Sequence, residues 1–153
     1  MRALIREGEA VSVAELFESA SPEARALVTT LLEQDAADRD WAAQVGPCLT
    51  QADAARLLGK SEQATAKDAR LLRVKTRSGR VAYPVVQFEG RGVLPGIGAV
   101  LASLAPVADA LTILAWLTGT QRALGGRRPV DALRDGDADD VIALASRFAR
   151  SAA

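Results

Sequence analysis

"LTQADAARLLGKSEQATAKDARLLRV", residues 49–74, contains two helix starts separated by one helix stop. Thr50 is a side-chain cap for a short helix over 51–58, whose Ala54, Ala55, Leu57 and Leu58 can face inward. Gly59 ends that helix, and Ser61 caps a second one over about 62–71. Two short helices joined by a tight glycine turn read as a helix-turn-helix. The following "RVKTRSGRVAYP" predicts two extended pieces, 73–76 and 80–83, around Arg77-Ser78-Gly79: a small hairpin, or wing. Proline lacks an N–H donor, so pairing is expected to stop at Pro84.

The next residues hold two of the chain's few aromatics, Tyr83 and Phe88. A two-stranded hairpin is marginal in water by itself. Large aromatic side chains at its exit can pin it to the helices.

Upstream, "SVAELFESASPEARALVTTLLEQDAADRDWAAQVG" reads as two helices. Ser12 with Glu15 has the spacing of a capping box, and Ser21-Pro22-Glu23 is a second start with proline at the first helical position. Ala26, Leu27, Thr30, Leu31 and Gln34 form an apolar-leaning stripe, with Trp41 beyond it. Gly46-Pro47 marks a linker. Downstream, helices are expected over 95–103, 108–119, 129–134 and 137–150. In the last of these Val141, Leu144, Ala145 and Phe148 share a face. The fold class is mainly α, in three parts: an N-terminal helical segment, 1–46; the helix-turn-helix with its wing, 47–90; and a C-terminal helical region, 91–153.

Net charge is zero across 153 residues, but the charge is segregated. Residues 1–49 carry four arginines against nine acids. Residues 50–91 carry nine basic residues against four acids and hold all three lysines, and residues 92–153 balance. A basic island over a helix-turn-helix is the electrostatic footprint of a nucleic-acid face. Exposed Ser61, Gln63, Thr65 and Lys67 would lead the second helix into a groove, and glutamine can pair with adenine. Lys60, Arg70, Arg73, Lys75, Arg77 and Arg80 would meet phosphates. A solvated helical hairpin is the plainer alternative. The acidic N-terminal helices could pair with a second copy or shield the basic region.

Several chemistries are excluded or weak. The chain has no histidine and one cysteine, Cys48, so a zinc site, a Ser-His or Cys-His nucleophile pair and an internal disulfide are ruled out. One cysteine fits a reducing cytoplasm. Gly96-Ile97-Gly98 lacks the third glycine and the preceding strand of a dinucleotide site, and reads as a close-packed helix start. "DGDADD", 135–140, lacks the distal glutamate of a calcium loop; Asp137 as N-cap, with Asp139 and Asp140 against the helix dipole, explains it. The stretch from Gly92 to Ala108 is uncharged, with Asp109 the only charge before Arg122, but Pro95, Gly96, Gly98, Pro106 and Asp109 break it into shorter pieces, which argues against a membrane span. "MRALIREGEA" lacks the apolar run of a signal peptide. No cofactor is expected, and an enzyme is the weakest class.

From Pro47 onward, "LTQADAARLLGKSEQAT", "YPVVQFEGRGVLPGIGAVL" and "LAWLTGTQRALGGRRPVDALRDGDADDVIALA" together resemble the Xre/MbcA/ParS antitoxin family, over roughly two thirds of the chain. The Tyr-Pro…Gln-Phe piece is similar to the family's bridge between its two domains. The Leu-Gly-Gly-x-x-Pro-x-x-Leu piece is similar to its toxin-binding part; Gln121 stands near a place where the family pattern has asparagine. The resemblance implies a type II antitoxin that is not an enzyme. Such a protein neutralises a cognate toxin, in this branch often a RES-domain enzyme that degrades NAD⁺. It also binds operator DNA, as a homodimer or a hetero-oligomer with its toxin. The implied toxin surface is Leu124, Gly125, Gly126, Arg127, Arg128, Pro129, Asp131 and Leu133. A winged helix-turn-helix regulator without a toxin partner remains the alternative.

Overall fold

A computed structural model of the chain describes residues 11–153, and the reading of "MRALIREGEA" lies outside them. The chain divides into two compact units, Met1–Trp41 and Ala42–Ala153.

In the first unit, Ser12 and Glu15 close the expected capping box at the start of α1 (Val13–Ser19). Pro22 opens α2 (Pro22–Val45), where the Ser21 hydroxyl accepts from the Ala24 amide. The apolar stripe foreseen on α2 does not form a core. Leu27, Val28, Leu31 and Leu32 are exposed, and Val45 is the helix's one buried residue.

The second unit takes in the end of α2 from Ala42 and continues with β1 (Cys48–Thr50), which leads directly into α3 (Gln51–Leu58). The Thr50 side chain caps α3 by accepting from the Asp53 amide, and the helix ends at Gly59. The Ser61 hydroxyl accepts from the Ala64 amide to start α4, which runs only over Glu62–Ala66. The expected continuation to residue 71 is absent. Asp68 stops it, since its carboxylate accepts from the Arg70 amide and its carbonyl from the Leu71 amide, which substitutes a turn for helix.

The wing follows as β2 (Val74–Lys75) and β3 (Val81–Pro84), closed over Thr76–Arg80. The sheet has order β1-β3-β2, all antiparallel, so β3 is central rather than one arm of a free hairpin. Strand pairing ends at Pro84, as expected, with Pro84 opposite Cys48; one further backbone bond runs from the Val85 amide to the Pro47 carbonyl. Proline is tolerated because it sits at the strand's end, where no ladder donor is needed, and its carbonyl accepts from the Gln87 carboxamide.

Tyr83 and Phe88 are both buried, in one cluster with Ala54 of α3 and Leu71. They do pin the wing to the helix-turn-helix. A single 3-10 turn, Val85–Gln87, then leads to the hairpin of β4 (Phe88–Glu89) and β5 (Gly92–Val93).

Four helices complete the unit: α5 (Ile97–Leu104), α6 (Ala110–Thr118), α7 (Pro129–Arg134) and α8 (Ala138–Ala152). Proline opens α7 and the Asp109 side chain caps α6, whose Thr112 amide donates to it. Packing of α5 and α7 against α8 buries Ile97, Val100, Leu104, Val130, Val141 and Ala145. Phe148 stays partly exposed against Trp116, with ring centroids 6.3 Å apart. Among the described residues no helix is long and apolar enough to cross a membrane.

Candidate nucleic-acid interface and its helical platform

The cations read as DNA contacts in the sequence are engaged in different ways. Arg73 is turned inward. Its guanidinium donates to the carbonyls of Thr65 (2.6 Å), Asp68 (2.8 Å) and Leu71 (3.2 Å) and to the Tyr83 hydroxyl (3.3 Å), and it lies over the Tyr83 ring. Those carbonyls lie in the last turn of α4 and in the turn that follows it, so Arg73 satisfies groups that a continued helix would have paired. Its donors are spent within the fold, which gives it a structural role. Thr65 is likewise buried, its hydroxyl donating to the Ser61 carbonyl, because it faces the core side of α4.

Lys60 and Arg70 converge on Asp68. Lys60 Nζ lies 2.8 Å from the carboxylate, and Arg70 grips it through Nε and an Nη at 3.1 and 2.7 Å. The Asp68 side chain is mostly enclosed. The Arg70 guanidinium, with Lys60 beside it, holds that carboxyl well below the usual carboxylate range. These two cations reach solvent already half neutralised.

Lys67, Lys75 and Arg80 are exposed, and their charged ends have no ion partner among the described residues. Arg77 is exposed and engaged. Ser61 and Gln63 are exposed at the start of α4. A cleft of about 580 Å³ separates wing from helices, with Thr76, Arg80 and Val81 on one wall and Thr50, Gln51 and Glu62 on the other. It therefore brings Arg80 to the same opening as the start of α4. Glu62 was not expected there, and its negative charge opposes phosphate at that wall. Cys48 also lines the cleft, and partial burial pushes its thiol pKa up, away from reactivity.

The junction to the C-terminal helices was only partly visible in the sequence. Gln87 is fully buried; its carboxamide accepts from the Leu72 amide (2.7 Å) and donates to the carbonyls of Leu72 (2.9 Å) and Pro84 (3.0 Å). From α7, Arg134 donates to the Val86 carbonyl at 2.9 Å. The Gly-Ile-Gly segment is a close approach, as read: a Cβ at Gly98 would lie 3.0 Å from Cγ of Arg70, and one at Gly96 2.9 Å from Cβ of Ala138.

The Leu-Gly-Gly turn is a loop closed by a bridge between Gln121 and Arg127. Gly125 and Gly126 adopt left-handed conformations and are exposed at its apex with Arg122. Leu124, Pro129 and Leu133 point into the core, so they support the proposed toxin surface rather than form it. The two arginines are not free. Arg127 bonds Asp135 and Asp137 at 2.9 and 2.8 Å, and Arg128 grips Asp131 at 2.6 and 2.9 Å. Asp137 consequently makes no side-chain cap on α8, contrary to expectation; Arg127 occupies its carboxylate. Arg128, with Arg134 on the other side, holds the Asp131 carboxyl below its ordinary pKa.

Neither a family model nor a curated protein matches the chain. The NMR structure of Rv2175c is similar in fold, with a TM-score of 0.57 and 28% sequence identity; the match covers 67% of this chain and 81% of that one.

Proposed function

We propose that the protein is an antitoxin of a type II toxin–antitoxin system, which neutralises a cognate RES-type, NAD-degrading toxin and binds operator DNA to control its own expression. The observation that carries the DNA half is the wing, fixed by Tyr83 onto the helix-turn-helix core while Lys67, Lys75 and Arg80 stay exposed. A fixed wing costs little ordering entropy on binding, and three solvated cations supply the counterion release that drives protein–DNA association. The toxin half rests on the family resemblance of the Leu-Gly-Gly turn, with its exposed apex at Arg122, Gly125 and Gly126.

The internal pairing of Arg127 and Arg128 favours a second reading, a winged helix-turn-helix regulator without a toxin partner, since those cations are already satisfied. Co-expression with a RES-domain toxin encoded beside the gene separates the two. Restored growth, lost on inserting bulk at Gly125, supports the antitoxin. No rescue, with duplex from the gene's own promoter still bound, supports the regulator.

A further inference from the structure

We infer that the β4–β5 hairpin is a second phosphate-contacting arm beside the wing, in which Arg91, together with Arg56 of α3, meets the DNA backbone; this rests on the DNA-binding reading proposed above. Neither arginine belongs to the helix-turn-helix turn or to the wing, so the motif alone does not single them out.

The hairpin is anchored before any ligand arrives. Phe88 of β4 is buried with Ala54, Leu71 and Tyr83, and Val93 of β5 packs on the same cluster beside Leu57 and Leu58 of α3. The pairs Phe88–Val93 and Glu89–Gly92 close the hairpin over two residues, Gly90 and Arg91. Gly90 has φ +60°, the left-handed value that a two-residue turn requires at its first position. A hairpin this short does not hold itself together in water, so the packing on α3 fixes it. Arg91 is left exposed at its tip, with no ion partner among the described residues.

Arg91 and Arg56 line one cleft of about 490 Å³, with Leu49, Asp53 and Leu57. Leu49 also lines the wing cleft that holds Arg80, so the two clefts adjoin where β1 enters α3. In a helix-turn-helix the second helix enters the groove while the first crosses the backbone. Here α3 is that first helix, with Arg80 in one cleft beside it and Arg91 in the other. Arg56 pairs with Asp53 at 3.1 Å, but the two side chains are 79% and 50% exposed. An ion pair that open to water contributes little and gives way readily to a phosphate. Two cations against one carboxylate leave the cleft net positive, and Glu89, two residues before Arg91, does not line it.

The test is fluorescence anisotropy of the promoter duplex and of a scrambled duplex against salt concentration. Arg91→Ala and Arg56→Ala are each expected to lower the slope of log K against log salt by about 0.9, and to weaken both duplexes by the same factor, with the urea midpoint unchanged. Arg91→Lys, which keeps the charge, is expected to retain the slope. Arg147→Ala, which removes an equal charge from an exposed position on α8, is expected to leave it at the wild-type value. Asp53→Asn is expected to tighten binding, since it removes a like charge and releases Arg56. A wild-type slope in Arg91→Ala, a fall matched by Arg147→Ala, or weaker binding by Asp53→Asn at an unchanged urea midpoint would overturn the second arm while leaving the DNA-binding reading in place. Failure of the wild type to bind either duplex at low salt would overturn both.

Discussion

The side chain of Gln87 and the backbone of Leu72 exchange two hydrogen bonds, at 2.7 and 2.9 Å, with no access to water. A glutamine in this position acts as one extra rung of sheet between the wing's exit and the segment entering β2. Gln87→Leu leaves the Leu72 amide and the Leu72 and Pro84 carbonyls unpaired in a buried site. Unpaired buried groups cost 1–3 kcal/mol each, with partial relief by relaxation, so we expect a loss of about 3 kcal/mol in urea unfolding. A loss under about 0.5 kcal/mol, the level of an ordinary surface change, would contradict this role.

Arg73 separates stability from binding. Arg73→Lys cannot reproduce four donations from one planar fork, so unfolding free energy should fall by about 2–4 kcal/mol, nearly as far as for Arg73→Ala. The salt dependence of DNA affinity, measured on the folded fraction, should not change. If the slope drops by about one, Arg73 does meet phosphate.

Gly96 has φ +88°, and a Cβ there would lie 2.9 Å from Cβ of Ala138 and 3.0 Å from Cδ2 of Leu133. Gly125, also left-handed, faces open space. Alanine at either position carries the left-handed penalty of about 1–2 kcal/mol, but only Gly96→Ala adds overpacking of about 1–3 kcal/mol. Thermal melts should therefore rank Gly96→Ala clearly below Gly125→Ala.

Asp68 makes stability fall in acid. Its folded pKa is depressed, by Arg70 first and Lys60 second, so the stabilisation is present above the unfolded aspartate value of about 3.9. It is lost as pH falls below that value toward the folded pKa. Asp68→Asn should flatten the stability–pH curve below about pH 4 relative to wild type, checked by urea midpoints at successive pH values. Parallel curves would remove Asp68 as the source.

Much of this architecture was legible in short-range chemistry. The caps at Ser12, Thr50 and Ser61, the stop at Gly59 and the proline start of α7 are local signals, and each stands where it was read. What the sequence did not reveal depends on partners distant along the chain. Pairing of Cys48 with Pro84 joins residues whose strand is too short to announce itself. Charge alone cannot say that Arg73 faces carbonyls, that Asp68 gathers Lys60 and Arg70, or that Arg127 takes the carboxylate read as a cap at Asp137. The periodicity of α2 was visible, but a stripe records only that a face is apolar, not what covers it.

The most direct test of the DNA-binding claim is fluorescence anisotropy of a promoter duplex against salt concentration, comparing wild type with Lys67→Ala/Lys75→Ala/Arg80→Ala. Three exposed cations released from phosphate should lower the slope of log K against log salt by about three, with the urea midpoint unchanged. An unchanged slope, or no duplex binding by wild type at low salt, would contradict the assignment of this face to DNA.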